Sequence, residues 1–339
     1  MSEAVRLTAL SKGSGCGCKI NPTVLKEMLD GFRVDESFPG ILVGNSLSDD
    51  CSVYDLGDDV YLLQTVDFFT PIVDDPYVFG AAAAANALSD IWAMGGKPLM
   101  ANAVFGWPLD KLPVAIGRQV LQGAFELCKQ AGVAMAGGHS IDSQEAIFGL
   151  SVTGTCKAHQ LKRNSTAEAG DVLLLTKPLG VGMLAAAHKR GQSSAAQDAA
   201  LYKVLQQTNQ AGEALGGLGG VHAMTDVTGF GLAGHLLELC KGSGLTAELN
   251  FQDIPYIEEA RELAAQFVLP DNAMRNWNAY ETELELRNQD AFPWLVDPQT
   301  NGGLLLAVAA DQVDAVLELC PTAQRIGVLS TGETRIVVR

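Results

Sequence analysis

Two thiols and an ammonium stand close together in Gly15-Cys16-Gly17-Cys18-Lys19, near the start of a 339-residue chain. A thiol beside a cation loses its proton more readily, because the cation stabilises the thiolate. Free cysteine is only about 3% thiolate at pH 7, given a pKa of roughly 8.5. Lys19 would therefore raise the thiolate fraction of a neighbouring thiol. Gly13, Gly15 and Gly17 disfavour a helix and let the segment reach a site built elsewhere in the chain. A disordered terminus that happens to hold cysteines is the competing reading.

Carboxylates supply the second chemistry. Asp49-Asp50 ends the loop Gly44-Asn45-Ser46-Leu47-Ser48 ahead of an expected strand, and Asp67 closes the next one in Thr65-Val66-Asp67-Phe68-Phe69. Asp90 follows Asn86 by one helical turn, so both project from one face of an Ala-rich helix. Asp226 ends a strand in Met224-Thr225-Asp226-Val227-Thr228. Hard oxygen ligands gathered from distant loops are what Mg²⁺ needs when it bridges phosphates. Each aspartate alone reads equally well as a cap or turn residue; the set reads as a metal–phosphate site. In Gly137-Gly138-His139-Ser140, after an expected strand, the glycines admit a ligand close to the backbone and Ser140 can donate to a phosphate or ribose oxygen. His139 alone reads equally as a structural imidazole.

Two familiar nucleotide signatures fail. Gly13 is followed at P-loop spacing by Lys19, but Cys18 stands where the second glycine belongs and Ile20 where Ser or Thr would hold magnesium. Gly229-Phe230-Gly231-Leu232-Ala233-Gly234 has dinucleotide spacing, yet Asp226 would repel a pyrophosphate that lacks a metal.

The elements that must position these groups follow from pattern. Apolar runs at 51–56 and 60–66 flank Gly57-Asp58-Asp59, a hairpin signal. Helix patterns cover 22–28, 76–94, 113–131, 181–190, 192–210, 232–240 and 311–319; strand patterns cover 99–107, 133–136, 146–155, 171–176, 221–224, 245–250, 303–309, 324–329 and 334–338. A polar stretch at 157–170 reads as a domain junction, and the order suggests an α+β layer. A net charge of −16 argues against nucleic acid as a partner. The first ten residues lack a secretory signal, and the most apolar helical stretch, 79–94, is too polar to span a bilayer. Seven scattered cysteines suit a reducing, cytoplasmic setting.

These motifs together resemble the selenophosphate synthetase family, within the aminoimidazole ribonucleotide synthetase-like superfamily. The matching segments also include Leu42-Val43-Gly44-Asn45, Ala93-Met94-Gly95-Gly96-Lys97-Pro98 and Asp297-Pro298-Gln299-Thr300-Asn301-Gly302-Gly303, where Asn301 replaces the family's usual Ser. The resemblance implies a two-domain α+β fold: a catalytic N-terminal loop (1–20), an ATP-binding domain with a mixed sheet and helices (21–156), and a C-terminal α/β sandwich (170–339). It implies a homodimer making selenophosphate, AMP and phosphate from ATP, selenide and water, which supplies activated selenium for selenocysteine and selenouridine synthesis. By the same match Cys16, often selenocysteine in relatives, and Lys19 are catalytic. Lys19, Leu47, Ser48, Asp49, Asp67, Asp90, Gly138, His139 and Ser140 contact ATP, and Asp50, Asp90 and Asp226 hold Mg²⁺. The resemblance leaves room for a selenium-delivery protein as partner. From the residues alone, two alternatives stay open: a sibling enzyme phosphorylating a carbonyl or amide oxygen, and a soft-metal carrier using Cys16 and Cys18.

Overall fold

The computed structural model describes residues 5–11, 13–20, 22–32, 38–44 and 48–339. The first helix is α1 (Pro22–Met28); Asn21, expected to cap it, lies outside the described residues. The first sheet is built from β1 (Ile41–Val43), β2 (Ser52–Asp55), β3 (Val60–Phe69), β4 (Lys97–Trp107), β5 (Ala134–Asp142) and β6 (Ile147–Lys157). Its order is β1-β2-β3-β6-β4-β5, antiparallel except at the β4–β5 edge. The expected hairpin is β2–β3. One expectation is corrected: β5 does not end at Ala136 but continues through Gly137-Gly138-His139-Ser140, because parallel pairing with β4 supplies hydrogen bonds along the whole run.

The second sheet contains β7 (Val172–Leu175), β8 (Val221–Asp226), β9 (Leu245–Leu249), β10 (Leu284–Leu286), β11 (Leu304–Val308), β12 (Gln324–Thr331) and β13 (Ile336–Val338), ordered β10-β13-β9-β12-β7-β11-β8. Only β10–β13 and β13–β9 run parallel.

The remaining helices are α2 (Pro76–Ala93), α3 (Val114–Gln130), α4 (Val181–Lys189), α5 (Ala195–Leu205), α6 (Ala211–Gly216), α7 (Gly231–Ser243), α8 (Arg261–Ala265), α9 (Asp271–Tyr280), α10 (Phe292–Val296) and α11 (Val313–Leu319). The helix expected over 192–210 is shorter: Ser194 and Gln197 form a capping box that starts α5, which stops at Leu205.

Helix α2 decides the geometry of the site. Asp75 caps it by accepting from the Val78 N–H, and Pro76 occupies its first turn. One side packs on β3, β6 and α3, the other meets β8, α5 and α6. That double contact explains why it is buried nearly all round and why small alanines fill it. A single apolar core therefore runs from the first sheet through Phe79, Leu88 and Trp92 to Leu173 and Leu184 beyond. The expected junction is strapped to both sides: the Lys162 N–H donates to the Met94 carbonyl at 3.1 Å and its amine to the Leu218 carbonyl at 2.9 Å. Among the described residues no helix is long and apolar enough to cross a membrane.

Candidate active site

Asp50 arrives just ahead of β2, Asp90 from the last turn of α2, and Asp226 from the end of β8. One carboxylate oxygen of each lies within 4.8 Å of the others. Neighbouring hydroxyls hold them in place: Thr65 donates to Asp90, Ser89 to Asp226, and Thr225 to Asp50 at 3.0 Å. Ser89 is itself oriented by Asn209, whose amide donates to its oxygen at 2.7 Å.

Burial pushes all three carboxyls above the usual range. Repulsion from Asp226 and Asp90 adds to the effect at Asp50, and from Asp226 and Asp67 at Asp90; at Asp226 burial outweighs the bond from Ser89. Three such groups cannot ionise together without a countercharge. An all-oxygen, multiply acidic donor set fits a hard divalent cation such as Mg²⁺.

The N-terminal segment docks beside this cluster. The Gly15 N–H donates to the Thr70 carbonyl at 3.1 Å, and the Cys16 N–H to Thr300 Oγ1 at 2.9 Å. Gly15 has φ +52°, and a Cβ there would lie 2.5 Å from Thr300 Oγ1, so the docked path requires glycine. Cys16–Cys18 is not extended but a single 3₁₀ turn. It sends Cys16 inward, fully buried, and leaves Cys18 exposed. The Cys16 thiol donates to Asn86 Oδ1 at 3.3 Å, an oxygen that also accepts the Asn301 N–H at 2.7 Å. The Asn86 amide donates to Asp67 Oδ2 at 2.6 Å, and Lys19 Nζ lies 3.7 Å from the same oxygen.

This arrangement corrects the expected activation of Cys16. Burial, reinforced by Asp67, holds the thiol well above its ordinary pKa, and the opposing pull of Lys19 is too weak to reverse it. Burial alone would lower Lys19, but Asp67, Cys16, Asp90 and Asp226 together raise it, so it stays an ammonium. A docked Cys16 is thus a neutral hydrogen-bond donor beside a fixed cation.

The glycine run that mimicked a dinucleotide fingerprint has another task. A Cβ on Gly229 would lie 2.8 Å from the Cys16 carbonyl oxygen and 3.1 Å from Lys19 Cδ. The Gly229 carbonyl accepts from Asn272 and Asn276, each at 3.0 Å, which pins the floor under the arm.

Cys16, Lys19, Asp67, Asp90, Asp50 and Asp226 therefore converge, while other expected residues stand apart. Asp49 is spent on the junction: it accepts the Asn164 N–H at 2.9 Å and pairs with Arg163 at 3.6 Å. Ser48 accepts from the Asn164 amide at 2.9 Å through its carbonyl, and Leu47 lies outside the described residues. Gly138, His139 and Ser140 sit on the exposed edge strand β5, three strands from β3, or roughly 14 Å across the sheet. Register places His139 in one row with Val104, Gly149 and Phe68, on the face opposite Asp67 and α2. Thr300, Asn301, Ser89, Asn209 and Thr225 were not expected to act here. All but Asn209 fell inside a recognised motif.

Comparison with known proteins follows the same division. The family model for the AIR synthase related protein N-terminal domain matches residues 48–157, and that for the C-terminal domain matches 168–339. Selenide, water dikinase of Shewanella baltica is 45% identical over 342 residues, covering 100% of this chain and 97% of its own length. The Salmonella typhi protein of the same name is 47% identical, covering 99% and 96%. Among solved structures, thiamine monophosphate kinase from Aquifex aeolicus superposes with a TM-score of 0.67 at 17% identity, covering 93% of this chain and 94% of that one. Hydrogenase maturation protein HypE in complex with ATP gives 0.67 at 18% identity, covering 97% and 93%. These two establish the fold. Matched across both sheets and almost end to end by its sequence relatives, the chain belongs to the selenide, water dikinase family of AIR synthase related proteins.

Proposed function

We propose that this chain makes selenophosphate, converting ATP, selenide and water to selenophosphate, AMP and phosphate. The observation that carries the reading is the docking of Cys16 and Lys19 beside Asp67 and the Asp50–Asp90–Asp226 cluster. A soft-anion handler and a hard-cation site then share one pocket.

Selenide is already a strong nucleophile, so the task is electrostatic: an anion must approach a polyanion. Lys19, held as an ammonium, neutralises phosphoryl oxygens as charge moves to the leaving group. Asp50, Asp90 and Asp226 would hold Mg²⁺, which when bound neutralises and orients the triphosphate. Cys16, neutral and aimed by Asn86, adds no negative charge to the approach path and offers selenium a polarisable neighbour. The arm lying across the pocket excludes water until selenium is transferred; water then cleaves the ADP that remains, giving AMP.

Gly138, His139 and Ser140 join this reading through a second copy. Asp67 and His139 face opposite sides of one sheet, so one chain does not readily offer both to one nucleotide. The open face carries exposed Val66, Phe68, Met100 and Ile141, an apolar surface suited to a homodimer. His139 of the partner subunit would then complete the nucleotide site. Contacts from residues 48 and 49 would run through the backbone, since the Asp49 carboxylate is engaged elsewhere.

Anaerobic AMP release tests the proposal. It should require both selenide and magnesium and vanish in Cys16→Ser. Selenide-independent AMP release at the full rate would sink it.

A further inference from the structure

On the solvent side of the arm lies a cavity of about 700 Å³ that the chemistry above leaves unused. Its wall is the outer surface of the same turn whose inner surface carries Cys16, and Cys18 lines it. Ser14 and Thr70 also line it, with side-chain oxygens that are buried within the wall and make no hydrogen bond. Lys189, Arg190 and Arg275 stand against Glu145 and Asp271 in the lining, a locally positive cavity on a chain of charge −16. Lys189 donates to the Ser11 and Gly13 carbonyls at 2.8 and 2.7 Å, and Arg190 to the Leu269 carbonyl at 2.8 Å. Arg275 makes no hydrogen bond or ion pair among the described residues.

The volume falls within the range of small-molecule sites, roughly 300–1,000 Å³, and is far larger than a bare selenide ion needs. Cations and carboxylates side by side suit an amino-acid-like ligand with groups of both signs. We infer that this cavity receives a small carboxylate-bearing selenopersulfide, R–S–SeH, with Cys18 as the thiol that unloads it. The inference rests on the proposed selenide chemistry and names the donor class for it.

The exchange balances. The Cys18 thiolate attacks the carrier sulfur, the S–Se bond breaks with its electron pair leaving on selenium as HSe⁻, and Cys18–S–S–R forms. Selenium is reduced from formal zero to −2 while the two sulfurs are oxidised to a disulfide. A second carrier thiol, R–SH, then reduces this mixed disulfide, giving R–S–S–R and returning a proton to Cys18.

The test compares two donors at equal selenium concentration: hydrogen selenide, and glutathione selenopersulfide made from selenite and excess glutathione. With hydrogen selenide, Cys18→Ser and Arg275→Gln should form AMP within about twofold of the unaltered protein. With the glutathione donor both should fall by on the order of tenfold. Acid trapping of the unaltered protein should find glutathione disulfide-bonded to Cys18, and calorimetry with glutathione alone should show binding that Arg275→Gln weakens. Equal rates on the glutathione donor, or equal losses on both donors, overturn the inference. An unaltered protein that is inactive on hydrogen selenide overturns the proposed function itself, so the two fail separately.

Discussion

The acidic cluster and the β5 triplet are both candidate ligand sites, yet they are built in opposite ways. Asp50, Asp90 and Asp226 come from three separate stretches of one chain, the last buried and the other two half-buried, and have each been given a hydroxyl partner. Gly138, His139 and Ser140 lie exposed on an edge strand, beside apolar side chains turned to solvent. A buried carboxylate set must be closed by the fold, because its charges are costly without fixed partners. A strand edge left open is the mark of a surface completed by something else. On the proposed reading, one half of the site belongs to the single chain and the other half to a homodimer.

The largest expected effect falls on the enclosed half. Cys16→Ser should abolish selenide-dependent AMP formation while nucleotide binding, measured by calorimetry, persists; loss of binding instead would make Cys16 structural. Asp90→Asn should lower the rate by on the order of 100-fold or more, since the cation would lose a charged ligand and Thr65 an ionic acceptor.

Next comes the open half. His139→Ala should raise the KM for ATP by about tenfold, the scale of one lost charge-assisted or hydrogen-bonded contact. Mixing it with Cys16→Ser distinguishes the two constructions. If His139 acts across a two-fold interface, each mixed dimer regains one intact site, and at ATP well below KM the mixture recovers about a quarter of the normal rate. If both residues serve one chain's own site, mixing recovers nothing.

The smallest effect is on stability. Asp50, Asp90 and Asp226 all have raised pKa values in the folded chain, so the fold holds protons the unfolded chain releases. Their favourable contribution is present below the ordinary carboxylate range and is lost as pH rises through the raised values. Metal-free protein should therefore be less stable at this cluster above the raised values than below the ordinary carboxylate range. Magnesium should raise Tm more toward the high-pH end of a titration, by about 2–4 °C, and Asp226→Asn should flatten that difference. A magnesium shift that stays constant across the titration would contradict the raised carboxylates.

What the sequence discloses follows the same contrast. Asn86 and Asp90 were legible because a polar pair on one face of an Ala-rich helix is costly unless used. Nearly every strand was legible from apolar runs between turn residues, and the polar stretch at 157–170 marked the passage from the first sheet to the second. The partners were not: Cys16 to Thr300 and Ser89 to Asn209 join residues 284 and 120 positions apart, of types that occur everywhere. The protonation of Cys16 was misjudged because a neighbour in sequence, Lys19, is visible, whereas burial and Asp67 are products of tertiary packing. The length of β5 was hidden for a similar reason, since Gly137-Gly138 reads as a break until β4 lies alongside.

Phosphorus NMR of the products under strict anaerobiosis tests the central claim most directly. With ATP, magnesium and hydrogen selenide, the account predicts a resonance split by a directly bonded selenium, with AMP and phosphate formed in equal amount. ATP consumed to AMP with only phosphate resonances would contradict it.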